Sequence, residues 1–233
     1  VGIGHPDKVA DQISDAILDA YLAQDPHARV DATCVLSHDT LFLAGEITSH
    51  AHVDVVGVAK AVLYDIGYTS AESGFNAATC KTIVQICQQS TDIKDALYTT
   101  GTLGAGDQGI MIGYACSETA EYMPLGQVLA NKLMQALLAE KPIFGPDGKT
   151  LVGISYDGIT PQNIEFIVLS CQHPELMAQN EVQRRLKALI MQTVPSKLLT
   201  SKTTLLVNPG GKFVIAGPSA DTGLTGRKLA VDT

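Results

Sequence analysis

The chain has no tryptophan and few other aromatics (5%), so it offers no row of ring faces on which nucleic-acid bases could stack. Basic residues are the minority: 16 Lys and Arg against 24 Asp and Glu give a net charge of −8, which excludes a broad nucleic-acid-binding surface. An anionic small molecule is still allowed, because a few cations can be focused in one cleft. No apolar run approaches membrane-spanning length, and no signal-peptide pattern opens the sequence. The five cysteines, odd in number and irregular in spacing, match neither a zinc pattern nor a disulfide framework, so a reducing cytoplasm is the expected location. Cys34, Cys87 and Cys171 lie in apolar strand-like runs, where small buried thiols are expected.

What remains is a chain of 233 residues, 45% apolar, with enough hydrophobic mass for one large or two modest domains. It begins with Val rather than Met, which leads us to expect natural sequence upstream. The first 22 residues hold the most concentrated signal. Gly2 and Gly4 are expected to loosen the backbone, and Pro6 can open a helix without losing a hydrogen bond. Val9, Ile13, Ala16, Ile17, Ala20 and Tyr21 then recur at helical spacing. His5, Asp7 and Lys8 fall on the first turn, where unpaired N–H groups and the positive dipole end gather. Those residues suit a phosphate and its metal ion, but on residue types alone an ordinary capped helix with a charged first turn is the favoured reading.

Downstream, alternation and helical periodicity predict strands at 29–36, 40–48 and 81–87 and a helix at 53–66 closed by Gly67. The second half predicts strands at 110–115, 150–156, 163–171 and 203–207, helices at 125–140 and 178–193, and a further strand at 212–216. The halves share an order of elements rather than residues, so we read an α+β fold of repeated βαββαβ units with helices on one face of each sheet. The opposite sheet faces should then be buried on another sheet, in the same chain or a partner.

Three other stretches could carry chemistry. Residues 104–109 (GAGDQG) fit the dinucleotide fingerprint by letter, but a loop precedes them and a strand is predicted after them, so that reading is rejected. What is left is either a loop delivering Asp107 and Gln108 or a plain glycine turn. Residues 144–150 (FGPDGKT) lack the spacing of a P-loop, and taken alone they read as a turn with a surface Lys149. Residues 208–228 are glycine-rich, with Lys212, Arg227 and Lys228 around Asp221. That composition permits close backbone approach to a ligand, with the cations suited to phosphoryl oxygens.

Taken together, GHPDK with ADQISDAILDA, LAGEIT, QQS-x-DI, GAGDQG-x-M-x-GYA, the PD-x-K turn and GKFVIAGP…D-x-GLTGRK…VDT resemble the S-adenosylmethionine synthetase (methionine adenosyltransferase) family from Val1 to Thr233. The resemblance implies three βαββαβ units around a pseudo-threefold axis. It assigns 4–92 plus 212–233 to a central-type unit, 108–211 to an N-terminal-type unit and 93–107 to a gating loop, with the third unit missing beyond 233. It implies a homodimer or dimer of dimers with shared active sites, no nucleic-acid partner and no membrane.

The implied reaction joins ATP to L-methionine. The sulfur attacks the ribose 5′ carbon, and the triphosphate leaves whole before hydrolysis to pyrophosphate and phosphate. By resemblance His5 contacts the oxygen bridging ribose and triphosphate, and Asp7 holds Mg2+. Lys149, Lys212, Arg227 and Lys228 neutralise phosphates, Phe213 packs near adenine, and Asp221 serves both ATP and methionine. Glu46, Gln89 and Asp107 would receive methionine. The sequence departs from the family pattern at three positions. Ile3 replaces a glutamate, Lys212 replaces an arginine, and Thr33 stands at the potassium-binding glutamate and removes the charge that would hold K+. Two other readings remain: a shortened non-catalytic homologue acting as a regulatory or dimer-partner subunit, and a triphosphatase using only the phosphate half of the site.

Overall fold

The computed structural model describes residues 1–88, 109, 111, 113–140 and 143–229. Helix α1 (Pro6–Leu22) starts at His5, whose ring nitrogen caps the helix, and Pro6 occupies its first turn. Strands β1 (Arg29–Ser37) and β2 (Thr40–Thr48) form an antiparallel hairpin, and the His38 backbone takes the left-handed turn conformation, φ 54°. Helix α2 (Val55–Ile66) ends at Gly67 in the left-handed region, where a residue without Cβ closes a helix at least cost. A short hairpin, β3 (Thr69–Ser70) with β4 (Phe75–Asn76), precedes β5 (Lys81–Cys87).

The second unit holds α3 (Leu125–Ala139), the antiparallel pair β6 (Gly148–Asp157) and β7 (Thr160–Cys171), α4 (Gln179–Thr193) and β8 (Thr204–Val207). Strand β9 (Gly223–Leu224) returns to the first unit. The first sheet runs β5-β2-β1-β9 and the second β6-β7-β8, each with one parallel pair.

Two cores follow from these layers. Val9, Ile13 and Ile17 of α1 and Ala59, Leu63 and Ile66 of α2 cover Cys34, Leu36, Leu41 and Leu43 of the first sheet. Leu129, Leu133 and Leu137 of α3 and Val182, Leu186 and Ile190 of α4 cover Ile167, Leu169 and Cys171 of the second. Each fully buried aliphatic side chain contributes about 1.5–3 kcal/mol relative to exposure. On the other face of the second sheet Leu151, Val168 and Leu206 stand in register, with Leu151 and Leu206 exposed.

The face of α1 that receives β9 is polar. Asp7, Asp11 and Ser14 lie one turn apart and accept or share hydrogen bonds with the segment after Gly223. The Leu224 amide donates to Asp7 (3.0 Å), the Gly226 amide donates to Asp11 (2.7 Å), and the Thr225 and Ser14 hydroxyls meet at 2.6 Å. Thr225 also accepts from the Cys34 amide, 2.9 Å. Gly223 is required here, because a Cβ would lie 2.1 Å from the Pro6 carbonyl oxygen. The C-terminal segment is therefore stitched between α1 and β1.

Several expectations are corrected. Residues 212–216 are not a strand, because Phe213 bonds to one residue, His173, and no ladder continues from it. The described part of 110–115 (Met111 and 113–115) is exposed and not in a strand. The hairpin β3–β4 was not foreseen; its two-residue strands are too short for periodicity, and Phe75 anchors them by an edge-on contact with Tyr68, centroids 6.4 Å apart. Cys34 and Cys171 are buried, but Cys87 is exposed, since it shares its sheet face with exposed Glu46. Gly4 is not a flexible point. A Cβ there would sit 2.5 Å from the Pro146 backbone, so close approach rather than freedom requires glycine.

Replacing Asp11 by Ala removes the charged acceptor that holds the Gly226 amide to α1. We expect a loss of about 1–3 kcal/mol, read as a lower urea midpoint with an unchanged slope; an unmoved midpoint would contradict the stitching role.

Candidate functional site

Residues 2–4 lie beside the start of β6. The Gly2 amide donates to the Gly148 carbonyl (2.8 Å) and the Gly4 amide to that of Pro146 (3.1 Å). The Tyr68 hydroxyl, fully buried, donates a short hydrogen bond to the Gly4 carbonyl. This fixes His5 at the start of α1, only 2% exposed. Its Nδ1 accepts the Asp7 amide at 3.2 Å, so the ring proton sits on Nε2, leaving an N–H donor for a ligand. Burial, with the charges of Lys149 and Lys228 nearby, lowers the imidazole to about 4. The neutral donor form therefore dominates near pH 7.

Asp7 is the hub. Its side chain is 1% exposed; one oxygen accepts the Leu224 amide (3.0 Å) and faces Arg227 Nε at 3.2 Å, and the other accepts from the Lys228 ammonium. Burial alone would raise this carboxyl, but the hydrogen bonds from Lys228 and Leu224 and the charges of Lys228 and Arg227 hold it below the usual carboxylate range. The helix N-terminus acts in the same direction.

A second acid sits behind Lys149. Asp147 is 5% exposed and accepts the Gly217 amide at 2.9 Å, while its other oxygen has no hydrogen-bond partner among the described residues. Burial pushes its carboxyl up, the Gly217 amide and Lys149 pull it back, and Asp221 pushes it up again. The reading of 146–148 as a plain turn is thus corrected, since Asp147 and Gly148 lead into β6 and carry buried polar contacts.

Segments 145–147, 171–173 and 213 run side by side, for Gln172 donates to the Asp147 carbonyl (2.9 Å) and His173 to that of Phe213 (3.0 Å). A cleft of about 620 Å3 opens past this edge, lined by Phe144, Gln172, His173 and Ile215 among others; neither His5 nor Asp7 lines it.

The family model described as S-adenosylmethionine synthetase, N-terminal domain, matches residues 1–91, and that described as S-adenosylmethionine synthetase, central domain, matches 102–213. The chain belongs to the S-adenosylmethionine synthetase family. It is similar to a protein named S-adenosylmethionine synthase from Thermosynechococcus vestitus, 43% identical over 258 residues that cover 99% of this chain and 62% of that protein. S-adenosylmethionine synthase 1 from Rhodospirillum rubrum is 44% identical over 236 residues, covering 99% and 62%. The corresponding protein from Salinibacter ruber is 43% identical over 242 residues, covering 100% and 63%. The chain thus spans a little over three fifths, 62 to 63%, of the length of these synthetase relatives.

Of the site residues that the synthetase resemblance implies, the structure brings His5, Asp7, Lys149, Arg227 and Lys228 together. Asp221 is exposed nearby, its charge acting on Asp147. Phe213 is tied to His173, and no contact shown among the described residues joins Lys212 or Phe213 to this cluster. Glu46 is exposed at the end of β2, with Asp31 and Cys87 as register partners, and no contact among the described residues joins it to the cluster. Gln89 and Asp107, the remainder of the GAGDQG stretch before Gly109, and the 93–107 loop lie outside the described residues. Asp11, Tyr68, Asp147 and His173 were missed. Their one signal, polar residues at positions that pattern reading treats as core or turn, is weak.

The donor set bears on Mg2+. Both Asp7 oxygens already carry partners, and no group of three His, Cys, Asp or Glu that could hold a metal occurs among the described residues. The described residues therefore fit a one-carboxylate site at most, with other ligands drawn from phosphate and water as Mg2+ favours. Thr33 is half-buried on β1 and brings no charge for K+.

With no phosphate added, His5 should titrate near 4 rather than 6.5 in an NMR titration. The unfolded chain then takes up the proton first, so stability is intact above about 6.5 and declines progressively as pH falls toward 4. Tripolyphosphate beside the ring should raise its midpoint. A midpoint near 6.5 that ignores tripolyphosphate would contradict the burial and the placement of the donor.

Proposed function

We propose that the polypeptide containing this chain makes S-adenosylmethionine from ATP and L-methionine. The methionine sulfur forms a bond to the ribose 5′ carbon as the carbon–oxygen bond breaks. The electron pair leaves on the triphosphate, which is then hydrolysed to pyrophosphate and phosphate. One observation carries the reading: a neutral His5 donor beside a buried Asp7 that gathers Lys228 and Arg227 at a helix start. Such a displacement needs in-line positioning and stabilisation of charge on the leaving oxygen more than acid–base chemistry.

In this reading His5 Nε2–H donates to the bridging oxygen as it gains charge. Lys149, Arg227, Lys228 and Lys212 bind phosphate oxygens, Arg227 as a fork and the lysines as point charges. Phe213 packs near adenine, and Asp221 serves the nucleotide and methionine. Glu46, Gln89 and Asp107 receive methionine, and 93–107 gates the site. Mg2+, held by Asp7 with phosphate oxygens and water, would supply further neutralisation of the triphosphate. Thr33 argues against a K+ requirement.

The division into 4–92 plus 212–233 and 108–211 is supported by the pairing of β9 with β1. A homodimer or dimer of dimers with shared sites is supported by the exposed apolar row of Leu151 and Leu206. Among the described residues no helix is long and apolar enough to cross a membrane. A cytoplasmic location is the reading that the odd number and irregular spacing of the cysteines favours. The alternative of a non-catalytic partner subunit draws on Ile3, Thr33 and Lys212. The gathering of Lys228 and Arg227 on Asp7 beside the His5 donor, more cations than are needed to hold the Leu224 amide, favours the enzyme.

Incubating the natural full-length polypeptide with ATP, methionine and Mg2+ tests this directly. S-adenosylmethionine is the expected product. Phosphate release independent of methionine would indicate a triphosphatase, and no turnover a partner subunit. His5→Ala should lower kcat by about 10²–10³ while changing ATP affinity less than about fivefold. Equal losses in both would contradict its role at the leaving oxygen.

A further inference from the structure

We propose that His173 is a positioning residue for the nucleotide side of the site, holding the Lys212–Phe213 peptide in place through its ring. The inference rests on the functional reading above, because it takes Lys212 and Phe213 as nucleotide contacts.

His173 is 3% exposed two residues past the end of β7, and both ring nitrogens are committed. Nε2 accepts the Phe213 amide at 3.1 Å, and Nδ1 lies 3.0 Å from the Pro174 carbonyl oxygen. A carbonyl only accepts, so Nδ1 carries the proton and Nε2 is the acceptor, a tautomer fixed from both sides. The His173 amide in turn donates to the Phe213 carbonyl, 3.0 Å. One residue thus binds both the N–H and the C=O of Phe213, as a strand partner would, where no strand exists.

The other end of the same turn is bolted to the same strand. The Asn208 carboxamide accepts the Cys171 amide (2.9 Å) and donates to the Cys171 carbonyl (3.1 Å). Asn208 sits at φ 40°, in the left-handed region that asparagine tolerates in turns. The Gly211 amide closes the turn on the Asn208 carbonyl at 2.8 Å. Lys212 follows this turn and is exposed.

The step Gln172–His173 therefore sets a spacing. Gln172 donates to the Asp147 carbonyl two residues before Lys149, and the next residue grips Phe213. Two segments that bring cations to the nucleotide are held one residue apart on one rigid edge. Without the ring acceptor the Phe213 amide loses its partner, and Phe213 keeps only the backbone bond from the His173 amide to its carbonyl while the turn behind it keeps its Asn208 anchor.

The test compares His173→Ala and His173→Gln in the full-length polypeptide, since a glutamine carbonyl oxygen can stand where Nε2 stood. Hydrogen exchange at the Phe213 amide should quicken about tenfold in His173→Ala and return toward the unsubstituted rate in His173→Gln. The KM for ATP should rise about tenfold in His173→Ala with the methionine KM within about twofold, and His173→Gln should restore it. Unchanged exchange, equal rises in both KM values, or a glutamine variant no better than alanine would overturn the proposal. Should His173→Ala fail to fold, His173→Gln decides alone: a folded protein with a raised ATP KM overturns it. Phe213→Leu separates the layers. If that variant leaves the ATP KM unmoved, the nucleotide reading of Phe213 falls and the inference with it; if it raises the ATP KM while His173→Ala does not, the inference alone fails.

Discussion

A buried carboxylate at the first turn of a helix is costly unless its charge is answered, and at Asp7 it is answered four ways: by the Leu224 amide, by Arg227, by Lys228 and by the helix N-terminus. All three named partners come from the segment that follows Gly223, more than two hundred residues away in sequence. The same contact that neutralises Asp7 therefore folds the C-terminal segment onto α1, adds β9 to the first sheet and delivers two cations beside His5. Asp11 and Ser14 extend the attachment down the helix. Stability and the candidate chemistry share one set of hydrogen bonds.

That sharing explains why the cluster is not a simple cationic pocket. Arg227 and Lys228 face Asp7 as well as the space where phosphates would come, and the neutral His5 adds a donor without adding charge. A triphosphate would enter a partly compensated field and re-partition it, drawing Lys228 from the carboxylate. In the proposed reading a single protein carboxylate would be enough for Mg2+, because phosphates and water would bring the remaining oxygens.

Much of this was legible in the sequence, and the limits have physical causes. Helical and alternating periodicity located four helices and the long strands within a few residues, because each buries one continuous apolar face. His5, Asp7, Lys149, Arg227 and Lys228 stood out by residue type at glycine-rich or helix-start positions. The polar stripe of Asp7, Asp11 and Ser14 was invisible, since periodicity counts apolar residues and this face of α1 is buried by hydrogen bonds instead. Residues 212–216 read as a strand from composition, yet strands need a ladder, and only the His173 clamp is present there. Gly4 read as a loosening residue because sequence cannot distinguish a glycine needed for freedom from one needed for close approach. His173 has no ligand-like neighbours in sequence; its partner lies 40 residues on.

The most direct measurement is a crystal structure of the full-length polypeptide with tripolyphosphate. The account predicts phosphate oxygens within hydrogen-bond distance of His5 Nε2 and of Lys149, Arg227 and Lys228, with the Lys228 ammonium turned from Asp7 toward the ligand. Tripolyphosphate bound elsewhere, with His5 untouched and the Asp7–Lys228 pair intact, would contradict it.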